Sequence, residues 1–280
     1  MGCRGITSQY SRQLITVNFR GWQLPPPGNS DMVMKKRLLI IAVLVMVGCS
    51  HNTSIDIDMV LIQGGEFMMG SEKEEADDDE RPLHWVSVNS FYMARYEVTQ
   101  ELWSQIMNGK NPSVFKGEKH PVECVSWYDV QIFIERLNKI SGRKFRLPTE
   151  IEWEYAAKGG AKRIQDSFNG IEPEFAGWIA DNSGGMTHDV GQLEPNELGL
   201  YDMCGNVHEW CYDLYDSLSY SRQQTIVQQK IAPHEIRVYR GGSWCSSKRY
   251  CRPANRNKNI AGIRNFSIGF RLAEDIVSNP

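Results

Sequence analysis

Apolar and polar positions change rhythm several times along the chain. The first marked feature is an unbroken apolar run, Leu38–Val47, preceded by Lys35, Lys36 and Arg37 and followed by Gly48-Cys49. A basic start, a short apolar stretch and a small residue before cysteine form the layout of a bacterial export signal. The run falls short of the roughly 20 apolar residues that a permanent membrane-spanning helix needs. From Met59, MVLIQGGEFMMGS reads as strand, Gly64-Gly65 turn, strand, a hairpin by its apolar runs and glycine punctuation. The acidic run EKEEADDDERP reads as a solvated loop. A calcium loop there would need the alternating acidic spacing and central glycine of an EF-hand, which are missing. HWVSVNSFYMARYEVT alternates and is rich in Val, Tyr and Phe, predicting one or two strands.

Three helices follow from caps and periodicity. Thr99 precedes a short one carrying Leu102, Trp103, Ile106 and Met107, stopped by Asn108-Gly109. Ser126 and Asp129 have the spacing of a capping box, and Val130, Phe133, Ile134, Leu137 and Ile140 then form one apolar face before Gly142. Thr149 and Glu152 repeat that box ahead of Trp153 and Ala156-Ala157, with Gly159-Gly160 as the stop. Beyond Gly160 helix signals fade, short runs and turns dominate, and no fixed repeat is visible.

Composition narrows the class. The 280 residues are 41% hydrophobic, with 24 glycines, 8 tryptophans and 11 tyrosines, which suits a turn-rich globule with a sizeable core better than a helical bundle. A net charge of −3 gives no overall bias toward nucleic acid, so none is expected as a partner. The export signal starts well inside the chain, so Met34 (or Met32) is read as the true start. Residues 1–33, with Pro25-Pro26-Pro27, are read as an upstream extension or disorder, in which Cys3 has no role. The end of the signal, residues 34–49, resembles a lipobox, with Met46 in place of the usual Leu; Cys49 would then be lipidated and become the mature N-terminus. A plain cleaved signal or an N-terminal anchor helix is the alternative. A tether (50–58), one folded domain (59–275) and a tail (276–280) complete the expected organisation. The implied location is the cell envelope, lipid-anchored at the outer membrane. Five cysteines remain in the mature chain, Cys124, Cys204, Cys211, Cys245 and Cys251. Disulfides are permitted in that compartment, and the odd number requires at least one free thiol or an intermolecular bond. Spacing assigns no pairing.

Seven ordered segments carry a resemblance: LIQGGEFMMGS, YEVTQELW, HPVECVSWYDV, RLPTEIEWEYAAKGG, NELGLYDMCGNVHEW, RVYRGGSW and IGFRLA. In this order they resemble the formylglycine-generating enzyme, or sulfatase-modifying factor, family, over roughly Met59 to Asp275. The resemblance implies an α+β fold, a variant of the C-type lectin fold with much irregular structure around small antiparallel sheets. Active members are copper-dependent oxidases that use oxygen to convert a cysteine of a sulfatase, within a Cys-x-Pro-x-Arg motif, to formylglycine. That chemistry needs two cysteine thiolates, because soft Cu(I) prefers sulfur.

In the family those two cysteines follow Gly-Gly-Ser and stand five residues apart. Gly241-Gly242-Ser243 anchors the count here, and the second cysteine falls on Cys251. The first falls on Ser246, whose hydroxyl is a hard, poorly acidic ligand. Cys245 is one position away, and in an extended segment that offset turns its side chain to the other face unless a bulge corrects it. If the chain is active, the resemblance places catalysis on Cys251, Cys245 and Ser243, the last matching the serine of the family's oxygen pocket. Otherwise Cys251 is a core residue, and Cys245 is free or in a disulfide.

The family's structural calcium maps onto Asp202, the carbonyls of Gly205 and Val207, and Glu209, oxygen ligands that suit a hard cation such as calcium or sodium. The alternative is that Asp202 and Glu209 cap turns or pair with arginines. His208 stands where the family usually has Trp; with no nucleophile at a set spacing, it is not assigned as a general base. His84, His120, His188 and His234 lack zinc spacing, and no nucleotide-binding loop or nucleophile elbow is present. Arg237, Arg240, Arg249, Arg252, Arg256, Arg264 and Arg271 crowd the C-terminal quarter. They are expected mainly to tie irregular loops to carbonyls and carboxylates, with a cleft for an acidic or peptide ligand as the alternative. Two functions follow. One is a non-catalytic envelope lipoprotein that binds a protein, peptide or glycan in an assembly role. The other is a copper-dependent formylglycine-generating oxidase acting on an exported client.

Overall fold

The computed structural model describes residues 55–161, 171–222 and 234–276. The expected extension, export signal, Cys49 and most of the tether and tail lie outside the described residues.

The elements are β1 (Met59–Ile62), β2 (Gly65–Met69), β3 (His84–Val88), β4 (Phe91–Ala94), α1 (Gln100–Ile106), α2 (Trp127–Ser141), β5 (Phe145–Arg146), α3 (Glu150–Ala157), α4 (Pro173–Ala176), β6 (His208–Leu214), α5 (Ser219–Arg222), β7 (Ile236–Arg240), β8 (Asn257–Ile260), β9 (Ile268–Gly269) and β10 (Ala273–Asp275). Three small sheets result, in the orders β1-β4-β10-β5, β2-β3 and β8-β7-β6-β9. Pairing is antiparallel except between β6 and β9. This is the mixed α+β architecture that the resemblance implied, with long connections between short elements.

The expected hairpin over 59–71 does not form. Gly64 and Gly65 hand the chain from one sheet to another: β1 pairs with β4, and β2 with β3. A turn would leave Gly64 open, yet a Cβ there would lie 2.4 Å from the Val88 carbonyl oxygen. Its amide bonds instead to Ser90 Oγ at 2.8 Å. The acidic run is not wholly solvated either. It ends in a single 3₁₀ turn over Asp78–Glu80, where Glu80 is fully buried and receives both terminal nitrogens of Arg252 at 2.7 Å.

The helices start where their caps place them. Thr99 Oγ1 accepts from the Leu102 amide, and Ser126–Asp129 and Thr149–Glu152 both form reciprocal capping boxes. Gly142 ends α2 in the left-handed conformation that glycine adopts without strain. Along α2, Val130, Phe133, Ile134 and Leu137 are buried, whereas Ile140 is exposed because it falls in the last turn, beyond the facing core.

α3 breaks the amphipathic rule. Glu150, Trp153, Glu154, Tyr155, Ala156 and Ala157 are all buried. The helix can enter the core because its carboxylates meet cations there. Arg240 bonds to Glu150 and Glu154, Arg256 to Glu150, and Lys158 to Glu154. Burial alone would raise the Glu154 pKa, but Lys158 and Arg240 hold it down at about 2.

Candidate functional site

The turn after β7 brings the family's two cysteine positions together with β6. Gly241 and Gly242 both have positive φ, +96° and +73°, in a region that side chains enter only at a cost. A Cβ on Gly242 would lie 2.5 Å from Cys251 Sγ, so this glycine makes room for the thiol. Ser243 is fully buried at the head of the following loop.

Ser246 faces inward. Its hydroxyl accepts from the Ser243 amide at 3.0 Å, lies 3.1 Å from Ser243 Oγ, and is 3.5 Å from His208 Nε2. The two places where this chain departs from the family pattern, Ser246 and His208, therefore face each other. His208 Nδ1 is cut off from solvent and has no hydrogen-bond partner. Burial pushes its pKa down to about 4, so the ring is neutral at pH 7.

Cys245 is exposed, with its sulfur 3.4 Å from Ser243 Oγ, while Cys251 is fully buried. Aromatic side chains flank the loop. Trp244 packs edge-on against Phe115 at 5.2 Å and lies 5.7 Å from Phe266, which is exposed. His208 meets Tyr239 edge-on at 4.8 Å.

The donor set does not fit Cu(I). The position that needs a thiolate holds a hydroxyl already engaged by Ser243 and His208, and the neighbouring Cys245 thiol is turned to solvent while Cys251 is enclosed.

The second predicted site lies in the loop leading into β6. Asp202, Gly205 and Asn206 have positive φ and fold it tightly. Asp202 Oδ2 accepts from the Gly191 amide at 2.7 Å, and Oδ1 is buried without a partner. Burial raises the Asp202 pKa to about 6. Glu209, fully buried, is committed elsewhere. Arg271 donates to both its oxygens at 2.6 Å, and Trp153 Nε1 to one of them at 2.7 Å. A cation placed between Asp202 and Glu209 would have to share Glu209 with a guanidinium, while Asp202 Oδ1 would be open to it. Among the described residues, no group of three or more His, Cys, Asp or Glu side chains is arranged to hold a metal ion. As placed, Asp202 caps a loop amide and Glu209 pairs with an arginine.

Glu97, which the sequence reading passed over, completes this cluster. It accepts from Asn206 Nδ2 at 2.6 Å and the Val207 amide at 3.0 Å. Its pKa is pushed well above normal by burial, with Asp202 and Glu209 adding to the rise. Only its place in YEVTQELW could have pointed to it. The arginines behave as structural ties: Arg237 pairs with Glu235, Arg240 and Arg256 with Glu150, Arg252 with Glu80, Arg264 with Asp129 and Arg271 with Glu209. Arg249 reaches Asp77 at the exposed surface.

A family model, the sulfatase-modifying factor enzyme 1-like domain, matches residues 50–276. The chain belongs to that family. Within the sulfatase-modifying factor enzyme 1-like family it is similar to a chaperone protein, LppX, of Paenibacillus barcinonensis, at 34% identity over 75% of this chain and 87% of that protein. It is also similar to the formylglycine-generating enzyme of Mus musculus, at 27% identity over 78% of this chain and 75% of that enzyme. The serine/threonine-protein kinase pkn1 of Chlamydia pneumoniae is 36% identical over 78% of this chain, which spans 38% of the kinase. Among solved structures, PvdO from Pseudomonas aeruginosa aligns with a TM-score of 0.66 and 27% identity, covering 78% of this chain and 94% of PvdO. CarF aligns at 0.59 and 25%, covering 79% and 99%. The fold is thus the C-type lectin-like variant of the sulfatase-modifying factor family.

Proposed function

We propose that this chain is an envelope-anchored, non-oxidising member of the family, which binds a protein, peptide or glycan partner in an assembly role. The observation that carries the reading is Ser246: a hydroxyl, drawn inward by Ser243 and His208, occupies the first copper-cysteine position. Without two thiolates on one side of the loop, nothing holds Cu(I) for oxygen chemistry. What remains is a loop with an exposed edge, Cys245 and Phe266, beside Trp244, a surface suited to an aromatic-lined contact. Similarity to a protein named as a chaperone is in keeping with a binding role.

Anchoring rests on the Gly48-Cys49 ending of the apolar run. Attachment is assigned to a lipid on Cys49; among the described residues no helix is long and apolar enough to cross a membrane. A mass measurement of the mature N-terminus checks this, and an unmodified N-terminus downstream of Cys49 rules it out.

The activity is tested by incubating the reduced protein with copper, oxygen and a Cys-x-Pro-x-Arg peptide. The peptide cysteine is expected to remain unconverted. Formation of the aldehyde product, lost in a Cys251→Ala variant, would establish the oxidase instead.

A further inference from the structure

The thiol of Cys251 has a neighbour that no spacing in the sequence announced. The Gly205 amide bonds to the Gly241 carbonyl at 2.8 Å, joining the loop before β6 to the turn after β7. Cys204 stands one residue before that tie. On the other side of the turn, Cys251 Sγ packs onto Gly242. Both cysteines are fully buried in the same core cluster and their thiols lie within interaction range of each other, while Cys204 Sγ donates to the Pro173 carbonyl at 3.6 Å and Cys251 Sγ to the Ser246 carbonyl at 4.0 Å. Of the other thiols, Cys211 donates to the Glu209 carbonyl and Cys245 lies 3.4 Å from Ser243 Oγ.

We infer that Cys204 and Cys251 are a disulfide in the mature protein, linking the loop before β6 to the C-terminal segment. Two neighbouring thiols reach bonding distance by side-chain rotation, and the Gly205–Gly241 tie together with the packing of Cys251 Sγ on Gly242 holds the two segments side by side. The reaction is thiol–disulfide exchange. One thiolate attacks an incoming disulfide, of glutathione or of an oxidoreductase, to give a mixed disulfide and release one thiol. The second cysteine attacks the mixed disulfide and releases the other. The protein loses two protons and two electrons, and the oxidant leaves as two thiols.

Order of events follows from burial. The folded core shields both sulfurs, and burial, with Cys251 adding to it, raises the Cys204 thiol well above its ordinary pKa. Exchange therefore takes place before the core closes, and reductants act slowly afterwards. An odd set of five cysteines then resolves into one bond and three thiols, Cys124, Cys211 and Cys245.

The inference draws on the envelope location proposed above for its oxidising surroundings, so the test supplies the oxidant itself. The full chain is reduced and unfolded, refolded in a glutathione redox buffer, unfolded again in acid, alkylated and mapped by mass spectrometry. A Cys204–Cys251 peptide, with alkyl groups on Cys124, Cys211 and Cys245, is the expected result. Alkylation of both Cys204 and Cys251, or a bond from either to Cys245, would overturn it. A second readout covers poor refolding: thermal unfolding of protein isolated from its source membranes, with and without a strong reductant present during a brief unfolding cycle. Reduction is expected to lower the melting temperature by roughly 10 °C, as for a loop of this length. A Cys204→Ala/Cys251→Ala variant is expected to be insensitive to reductant. An equal effect of reductant on parent and variant would count against the bond. If the refolded chain forms the bond but protein from cells lacks it, the inference fails for the mature protein and the envelope location fails with it; if neither forms it, the inference fails and the envelope location is untouched.

Discussion

At the scale of single residues, Ser246 and His208 are the two places where this chain departs from the pattern of the oxidases it resembles. The serine removes a soft ligand, and the histidine fills the family's tryptophan position with a polar ring that the fold keeps neutral. That neutrality has a pH signature. The folded ring has a pKa of about 4, below the roughly 6.5 of an unfolded histidine. Between those values the unfolded chain binds a proton that the folded chain refuses. The stability contribution is therefore intact above about pH 6.5 and is lost as pH falls toward 4. Urea unfolding at pH 7 and pH 5 is expected to show the parent losing about 1–2 kcal/mol relative to His208→Phe on acidification. Parallel pH profiles for the two proteins would mean that the ring is solvated. The substitution of Ser246 for a thiolate was legible by counting from Gly-Gly-Ser. Its contact with His208 was not, because 38 residues separate them and β6 and β7 bring them together.

At the scale of elements, the caps are the most legible signal in the chain, since a capping box is local: four residues contain both donors and both acceptors. Ser126→Ala and Thr149→Ala are each expected to cost about 1 kcal/mol, with a fall of about 2–4 °C in melting temperature. Ile140→Ala, at the exposed end of the same α2 face, is expected to change stability by less than about 0.5 kcal/mol. Cap variants no worse than that control would show the boxes to be incidental. Strands were less legible. The apolar runs of β1 and β2 were readable, but not that Gly64 and Gly65 pass the chain between sheets, because pairing depends on β3, β4 and β10. β6 went unseen as a strand, since HEWCYDL has no clean alternation and lies between two neighbours on different sides.

At the scale of the whole molecule, buried ion pairs do much of the joining that regular ladders do in other folds. Arg240 reaches Glu150, 90 residues away, and Arg252 reaches Glu80, 172 residues away. The crowd of C-terminal arginines was visible in the sequence and rightly weighed toward structure, but their partners were not, because acidic runs and helix carboxylates look solvated until the chain closes on them. The same long-range closure places Arg271 on Glu209, a carboxylate that a calcium ion there would have to share. The molecule keeps the scaffold of its family while the loop after β7 carries Ser246 at the first copper-cysteine position. Titration of the reduced protein with Cu(I) against a competing chelator measures the consequence directly. The parent is expected to leave the metal with the chelator at one equivalent. A tight one-to-one complex, lost in both Cys245→Ala and Cys251→Ala, would contradict the account and return the chain to the oxidases.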